Sequence, residues 1–519
     1  MEEGLKADST GAESKIKIWF KNNWIFVLIF SLAIAIRLYY YFLTINQPLW
    51  FDEAEYMAAA KGFAGIMHYQ LSSIRFPGFS LVMSLFFIFG IANEAIMRFF
   101  GLLIPSLLVI FLTYLCTKEM YSDNRIALVS MAIMAVLWEH LFYSNRFQTE
   151  NFALIFQLIA FYILFRCYIK KQNVAFVKPK NSLIWIVLFS AIAVLFRPGN
   201  LPFIPAVLVF MLFLNKDLFS KKKIKLTALV AFILLAAFAF ISRTSSYQAL
   251  LATYYHPDYP LAFNTLGVFS GFYESIVAGI PPLLLYAFIF GIAIFLIDLA
   301  INFKKIPLNS ESSDFRSDIF NFILILSVMI IFIFVVRPYN GFEYRWFFPM
   351  ALGMLALTGK GLITFSEYVG NAVKSKAVIT VVLIIILSLG VYTQLAHADS
   401  IIRDKLDSYS QVKDAALWMK ANSNSNDIIW TTSSTQMAYY AEREIVNDNQ
   451  LVKNSSMFQD YVTNHSVRYV VWSVFEPVNI SYVIQWAREN QDNISIKKAY
   501  FADAEQKQPI LIIYETKSA

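Results

Sequence analysis

The chain has 519 residues, of which 58% are hydrophobic and only 15% are charged. Soluble globular proteins are about 45–50% apolar and about 25% charged, so this composition excludes an ordinary soluble protein and indicates a multi-span membrane protein. The net charge of +7 does not indicate a nucleic-acid partner, because the Lys and Arg residues cluster between apolar runs, where they act as topology determinants.

The N-terminal tail, residues 1–23, is polar and mixed in charge, and it lacks the apolar core and cleavage site of a signal peptide. We therefore expect the first long apolar run, residues 24–43, to remain as a membrane anchor. Lys15, Lys17 and Lys21 precede this run, and positive charge is typically retained on the cytoplasmic side. The sequence predicts a cytoplasmic tail followed by a span that leads outward.

Eleven apolar runs predict membrane spans. They are 24–43, 95–117, 126–143, 152–169, 183–196, 201–214, 224–241, 280–300, 319–336, 346–358 and 377–396. A further run, 77–91, is shorter than the roughly 20 residues that a span needs. If it crossed, nearly every later Lys and Arg cluster would face outward, against the positive-inside rule. We therefore expect 77–91 to form a juxtamembrane helix at the outer face.

The C-terminal segment, residues 398–519, is mostly polar and has short alternating patterns. These patterns predict strands at "DIIW", "VRYVVW", "ISIKKAYF" and "ILIIYE", and helices at "SQVKDAALWMKAN" and "ISYVIQWARENQ". The predicted fold is an α-helical polytopic membrane protein with a small C-terminal extracytoplasmic α/β domain. Residues 24–397 form the membrane domain in this prediction, and its first outer loop covers residues 44–94.

Ionisable side chains concentrate in the predicted outer loops. Asp52, Glu53 and Glu55 follow the first span, and Glu150 lies in the loop after the third. The accompanying arginines are Arg75, Arg98, Arg146 and Arg345. Arginine binds phosphate through two parallel hydrogen bonds, and a carboxylate can serve as general base on a hydroxyl or amine. Sugar transfer from a lipid-linked phosphate requires both functions, so these side chains are candidate site residues.

The acidic residues also have structural explanations. Asp52, Glu53 and Glu55 could begin a helix, because acids are favourable at a helix N-terminus. Glu150 could pair with Arg146, four residues earlier. From the charge pattern alone, these alternatives stay open.

The arginines likewise have alternatives. Arg75 and Arg345 could be interfacial anchors, since each precedes an aromatic residue at a predicted membrane boundary. Arg37 lies inside the first span, where an arginine usually faces a partner or a wet cavity. The anchor interpretation does not extend to Arg37.

The order of several short motifs resembles a known family. "DE" at 52–53 is followed by "RFPGFSL" at 75–81, and an apolar run with internal Arg98 comes next. "LFYSNRFQTENFALIF" and "YRWFFPMALGMLAL" follow, and "ALWMKAN", "DIIWTT" and "YYAEREIV" lie in the C-terminal domain. In this order they resemble the integral-membrane, C-type glycosyltransferases of the protein O-mannosyltransferase and lipid A aminoarabinose transferase group. The resemblance covers most of the chain.

The resemblance implies roles for particular residues. Asp52 matches the catalytic base, Glu53 completes the acidic pair, and Glu150 matches a second-loop carboxylate that is usually Asp. The positions tied to the lipid phosphate or to holding the site are Arg75, Arg98, Arg146 and Arg345. The chain departs from the family pattern where Arg75 replaces His or Lys and Gly78 replaces a second Pro, and either change could alter the acceptor pocket.

The resulting expectation is an enzyme that moves a sugar from a polyprenyl-phosphate donor, such as dolichyl-phosphate mannose, to a protein, lipid or glycan acceptor. Transfer would occur at the outer face of a prokaryotic plasma membrane, with Asp52 as general base. It would invert the configuration of the anomeric carbon. The donor tail would lie near residues 242–279. The alternatives are a transporter or flippase of lipid-linked sugar and a membrane sensor.

Metal and disulfide sites have little support in the residue counts. The two cysteines, Cys116 and Cys167, lie at the ends of apolar runs, and the five histidines form no pair at a ligand spacing. We therefore predict no metal site of these residue types. Asp52 and Glu150 could share a divalent ion, although nothing in the sequence requires one.

Overall fold

The computed structural model describes residues 2–72, 75–214, 282–302, 313–331, 344–447, 452–476, 480–502 and 505–517. The predicted span 224–241 and the predicted loop 242–279 therefore lie outside the described residues.

The membrane part of the described chain is built from helices, with one isolated β-bridge between Val174 and Val177. Its helices are α1 (Glu2–Thr44), α2 (Phe51–Phe63), α3 (Gly78–Ile88), α4 (Glu94–Met120), α5 (Asn124–Val136), α6 (Trp138–Ser144), α7 (Glu150–Ile169), α8 (Ser182–Phe196), α9 (Phe203–Leu214), α10 (Pro282–Asn302), α11 (Ser313–Ile331), α12 (Ala351–Ala372) and α13 (Lys376–Asp404). Helices α4 and α7 each contain a π-helical turn, at Phe99–Leu103 and Leu164–Ile169. A 3-10 segment, Tyr344–Met350, leads into α12.

Seven helices in the described residues are long and apolar enough to cross a membrane. The number is eight if α5 and α6, which meet at a 53° bend, together form one span. This confirms the predicted class, a multi-pass helical membrane protein. The count of eleven spans stays a prediction.

Helix α3 lies along one end of the bundle and does not cross it. Its 11 residues extend only about 16 Å at 1.5 Å per residue. Gly78, at its start, touches the end of α8, and Glu94, after it, pairs with Lys413 of the C-terminal domain. Both ends of α3 therefore lie at the end of the bundle that carries the C-terminal sheet, which we call the sheet side. That 77–91 does not cross the membrane stays a prediction.

Two glycine positions explain close helix contacts. A Cβ atom on Gly78 would lie 2.9 Å from the carbonyl oxygen of Leu195, so this position at the start of α3 excludes a larger residue. A Cβ atom on Gly361 of α12 would lie only 2.0 Å from the carbonyl oxygen of Ala287 in α10. Small residues allow membrane helices to approach backbone to backbone, which is how α10 and α12 pack.

The C-terminal domain is a five-stranded mixed sheet with helices. Its elements are α14 (Ser410–Asn422), β1 (Ile428–Thr431), α15 (Ser434–Ala441), β2 (Glu444–Val446), α16 (Ser455–Asn464), β3 (Val467–Ser473), α17 (Ser481–Glu489), β4 (Ile494–Phe501) and β5 (Pro509–Thr516). The strand order is β2-β1-β3-β5-β4, with β2, β1 and β3 parallel and β5 antiparallel to both neighbours. All four predicted strands and both predicted helices are present, whereas β2, α15 and α16 were not predicted.

The sheet has a hydrophobic core on each face. On one face, Trp430, Phe458 and Trp486 pack together beneath α16 and α17. On the other face, residues of β1, β3, β5, α14 and α15 share a single core with α2 and α3. The domain is therefore packed directly on the first predicted outer loop, and α13 runs unbroken through residue 397 to join it to the bundle.

Candidate functional site

The site is built around the first turn of α2, at the sheet side. The Glu53 carboxylate accepts a hydrogen bond from the backbone N–H of Trp50 at 2.9 Å, which satisfies one of the unpaired donors at the start of this helix. Asp52 and Glu53 both lie in the first turn, where negative charge is favourable. The helix-start interpretation of the acidic cluster is therefore correct for Glu53, and it does not exclude a chemical role for Asp52.

Asp52 lies between two arginines that come from distant parts of the chain. Its Oδ1 atom accepts a hydrogen bond from Nη2 of Arg75, and its Oδ2 atom accepts one from Nη2 of Arg345 at 3.0 Å. The Asp52 side chain is 22% exposed and the two arginine side chains are 18% and 15% exposed. The cluster can therefore be reached from outside the protein.

Each of the two arginines also has a second set of partners. The Nε atom of Arg75 donates to Glu55 Oε2 at 3.1 Å. The Nη1 atom of Arg345 donates to Gln148 at 3.0 Å and lies 3.6 Å from Glu150 Oε1. Both guanidinium groups thus bridge Asp52 to another polar side chain.

Glu150 is almost fully buried beside this cluster. Its Oε1 atom lies 3.6 Å from Nη2 of Arg197 as well as from Arg345, both beyond hydrogen-bond distance. Its Oε2 atom is buried and has no hydrogen-bond partner within the described ranges. A buried carboxylate oxygen without a partner is costly, so this atom is a strong acceptor for an incoming group.

Arg197 belongs to the site although it was not among the predicted site residues. It follows α8 and donates to the backbone carbonyl of Arg345 at 2.9 Å, which holds the 3-10 segment against the site. Its sequence signal was its place at a predicted outer hinge, "RPGN".

The charges of the cluster determine the pKa of Asp52. Burial raises this pKa, but Arg75 and Arg345 outweigh the effect of burial and hold it below its ordinary value. Burial lowers the pKa of Arg75, but Asp52 and other neighbours raise it above its ordinary value. The pair is therefore fully ionised at neutral pH.

Glu53 is buried among a different set of donors from those that contact Asp52. Its Oε1 atom accepts from the backbone N–H of Phe147 at 2.8 Å, and its Oε2 atom accepts from Arg146 at 3.3 Å. Together with its bond to Trp50, these contacts tie the start of α2 to the loop 145–149. Glu53 is 1% exposed, so its contacts are structural.

Arg98 and Arg146 have partners of a different kind. Arg98 donates to the backbone carbonyls of Gln47 at 2.7 Å and Asn145 at 3.0 Å. The guanidinium of Arg146 lies 3.4 Å from the ring centroid of Trp50, and burial lowers its pKa to about 10 although Glu53 opposes the shift. Both side chains are buried and join loop 44–50 to loop 145–149, which fits holding the site rather than receiving a ligand.

Arg37, the unexplained arginine of the first span, has partners at the break between α5 and α6. It donates to the carbonyl of Ala135 at 2.8 Å and to Nδ1 of His140 at 2.9 Å. The Nε2 atom of His140 lies 3.0 Å from Asn151 Oδ1, next to Glu150. Arg37 thus satisfies a carbonyl near the break and supports the residues behind the site.

The arrangement does not fit a divalent ion shared by Asp52 and Glu150. Both carboxylates contact the same guanidinium, that of Arg345, which such an ion would have to displace. Across the described part of the chain, no group of three or more His, Cys, Asp or Glu side chains is placed to hold a metal.

Comparison with known proteins places this geometry in context. Residues 75–241 match the family described as dolichyl-phosphate-mannose-protein mannosyltransferase. No curated protein sequence matches the chain.

Several solved structures share the fold. ArnT from Cupriavidus metallidurans, bound to undecaprenyl phosphate, has a TM-score of 0.58 and 11% identity over 95% of this chain and 98% of that one. The Archaeoglobus fulgidus oligosaccharyltransferase has a TM-score of 0.58 and 13% identity over 88% of this chain and 70% of that one. The arabinofuranosyltransferase AftD from Mycobacteria has a TM-score of 0.53 and 10% identity over 94% of this chain and 40% of that one. The predicted resemblance is confirmed, and the chain has the fold of the integral-membrane, C-type glycosyltransferases.

Proposed function

We propose that the protein transfers a sugar from a polyprenyl-phosphate donor to an acceptor at the outer face of the cell membrane. The observation that carries this proposal is the reachable carboxylate of Asp52 held between Arg75 and Arg345. The family match points the same way, as do two similar structures that contain undecaprenyl phosphate and dolichol phosphate.

In the proposed reaction, Asp52 takes a proton from the hydroxyl or amine of the acceptor. The acceptor's lone pair attacks the anomeric carbon, and the bond from that carbon to the phosphate oxygen breaks. Arg75 and Arg345 stabilise the negative charge that develops on the leaving phosphate. A single displacement of this kind inverts the anomeric configuration.

The other predicted site residues support this chemistry in the proposal. Glu150 offers its unpartnered Oε2 atom to a hydroxyl of the sugar or acceptor, which would fix the orientation of that group. Glu53 holds the first turn of α2, and Arg98 and Arg146 hold the two loops on either side. Phosphate binding is assigned here to Arg75 and Arg345.

The proposed topology places the sheet side outside the cell. The first span ends at Thr44, and Gln47 and Leu49 just beyond it bond to Lys405 and Tyr440, so Lys17 at its start lies at the end opposite the sheet. In this topology, residues 1–23 are cytoplasmic, residues 24–397 form the transferase domain, and residues 398–519 form the extracytoplasmic domain. The acceptor then reaches Asp52 from outside, and a protein, lipid or glycan would serve.

The test is a transfer assay with purified protein, polyprenyl-phosphate mannose and separate protein, lipid and glycan acceptors. We expect Asp52→Asn to lower kcat by about 10²–10⁴, because it removes the general base. Glu94→Gln is the matched control, because Glu94 pairs with Lys413 at the same end of the bundle and touches neither arginine. Undiminished transfer by Asp52→Asn would overturn the assignment of the base, and movement of intact donor across the membrane without transfer would favour a flippase.

A further inference from the structure

The arrangement around Asp52 conflicts with the work of a general base. Both of its oxygens accept hydrogen bonds from guanidinium groups, and those groups hold the pKa of Asp52 below its ordinary value. A good base has an accessible lone pair and a pKa near the working pH. In this pairing with Arg75 and Arg345, the carboxylate is poorly placed to accept a proton from an acceptor.

The same two guanidinium groups are the only part-exposed arginines of the described chain that contact Asp52. A phosphate that approaches Asp52 would bind them in preference to other donors, since planar guanidinium and phosphate match in geometry. Each arginine also has a second partner, Glu55 for Arg75 and Gln148 for Arg345, which would keep it in place after it leaves Asp52.

We infer that the donor phosphate and the Asp52 carboxylate compete for Arg75 and Arg345, so that donor binding is the event that converts Asp52 into a base. This inference rests on the proposed function and adds an order of events to it. The donor must bind before the acceptor can lose its proton, because Asp52 stays in its ion pairs until a phosphate draws the two arginines away.

The charges balance through the whole step. Before transfer, the carboxylate and the phosphodiester each carry one negative charge, matched by two guanidinium groups. During transfer, the acceptor oxygen or nitrogen forms the new bond to the anomeric carbon, its proton moves to Asp52, and the electron pair of the broken bond stays on the phosphate. Afterwards the carboxyl is neutral and the phosphate carries about two charges, so the arginines face the same total throughout.

A direct consequence concerns donor affinity in the absence of acceptor. Replacing Asp52 with Asn removes the competing charge, so Asp52→Asn should bind polyprenyl-phosphate mannose on the order of tenfold more tightly than the natural protein, a coupling of ordinary size between sites. The loss of a merely structural acid would weaken binding or leave it unchanged. The measurement is tryptophan fluorescence or calorimetric titration in detergent without acceptor.

Glu94→Gln serves again as the control, with donor affinity unchanged, and matching unfolding temperatures establish that each variant is folded. If the natural protein binds the donor and Asp52→Asn binds it equally or more weakly, the competition is overturned while the proposed donor site stands. If neither protein binds the donor, the proposed function falls and the inference falls with it.

The pH dependence of transfer provides an independent readout. The acid limb of kcat/KM for the donor reports the empty enzyme, and that of kcat reports the loaded one. We expect the acid limb of kcat to lie at higher pH than that of kcat/KM, because Asp52 loses its arginine contacts when the donor is bound and its pKa rises. Acid limbs at the same pH in an active enzyme would contradict the inference. The charged and titratable groups that face Asp52, directly or through these arginines, are Arg75, Arg345, Tyr56, Glu55 and Glu150.

Discussion

Two pairs of arginines at the sheet side differ in their exposure and in their polar partners. Arg75 and Arg345 are part exposed and donate to the carboxylate of Asp52. Arg98 and Arg146 are 2% and 3% exposed and contact backbone carbonyls, aromatic rings and the buried Glu53. A mobile partner such as a phosphate can replace a part-exposed carboxylate such as Asp52, but it cannot easily replace a backbone carbonyl or a carboxylate that is buried in a packed loop. The partner of an arginine and its burial, more than its position in a charged loop, therefore indicate what it does.

The largest expected effect comes from the buried pair. Arg146→Ala leaves the Glu53 carboxylate buried without its charged partner, which typically costs about 3–5 kcal/mol. We expect a large drop in unfolding temperature in detergent. The control is Arg125→Ala, at the opposite end of the bundle and nearly half exposed, where we expect a change within about 0.5 kcal/mol. A stable but inactive Arg146→Ala protein would instead place Arg146 with Arg75 and Arg345 among the residues proposed to bind the ligand.

The part-exposed pair should affect rate more than stability. Arg345→Ala removes a donor to the developing phosphate charge, and we expect kcat to fall by about 10²–10³. Its unfolding temperature should fall less than that of Arg146→Ala, because the part-exposed Asp52 keeps Arg75 and the buried Glu150 keeps Arg197 as a charged neighbour. Arg468→Ala, which removes a surface ion pair with Glu515 in the C-terminal domain, is the control and should retain full kcat. A fall in stability without a fall in kcat would show that Arg345 resembles the buried pair.

The smallest expected effect concerns stability against pH. The pKa of Asp52 is depressed in the folded protein, so its ion pairs stabilise the fold above the unfolded pKa of about 3.9 and this contribution is lost as pH falls through the folded pKa. The contribution should be about 1 kcal/mol, because the pair is part exposed. The free energy of unfolding, measured from pH 6 downward, should therefore decrease more steeply for the natural protein than for Asp52→Asn. Parallel curves would show that Asp52 is not paired in solution.

Much of the fold follows from local patterns. Long apolar runs predict the spans, and period-two alternation predicts β1, β3, β4 and β5, because each of these signals lies within one segment. Helix α15, "STQMAYYA", is only eight residues long, and β2 has three residues, so neither has room for a periodic signal. Their form depends on packing against distant elements.

The sequence predicted which acidic residues lie at the candidate site, but it did not predict which side chains they contact. Asp52 and Glu53 are adjacent in the sequence, yet in the structure Asp52 pairs with the part-exposed Arg345 and Glu53 is buried against the backbone of Phe147. Arg345 is 293 residues from Asp52, and no local pattern indicates that the two meet. The difference between the part-exposed and the buried pair of arginines likewise depends on tertiary burial, which a local sequence pattern does not indicate.

The packing of α15 on α2 also means that α2 cannot reach its final contacts until late in translation. Thr435 donates to the carbonyl of Phe51 at 3.0 Å, and Tyr440 accepts from the backbone N–H of Leu49 at 3.1 Å. Thr435 follows Phe51 by 384 residues, and ribosomes add about 5–20 residues per second. The helix that carries Asp52 therefore waits roughly 20 to 80 seconds after its own translation before these neighbours exist. A chain released before that point lacks the packing of α15 on the helix that carries Asp52, even if its first spans have already entered the bilayer.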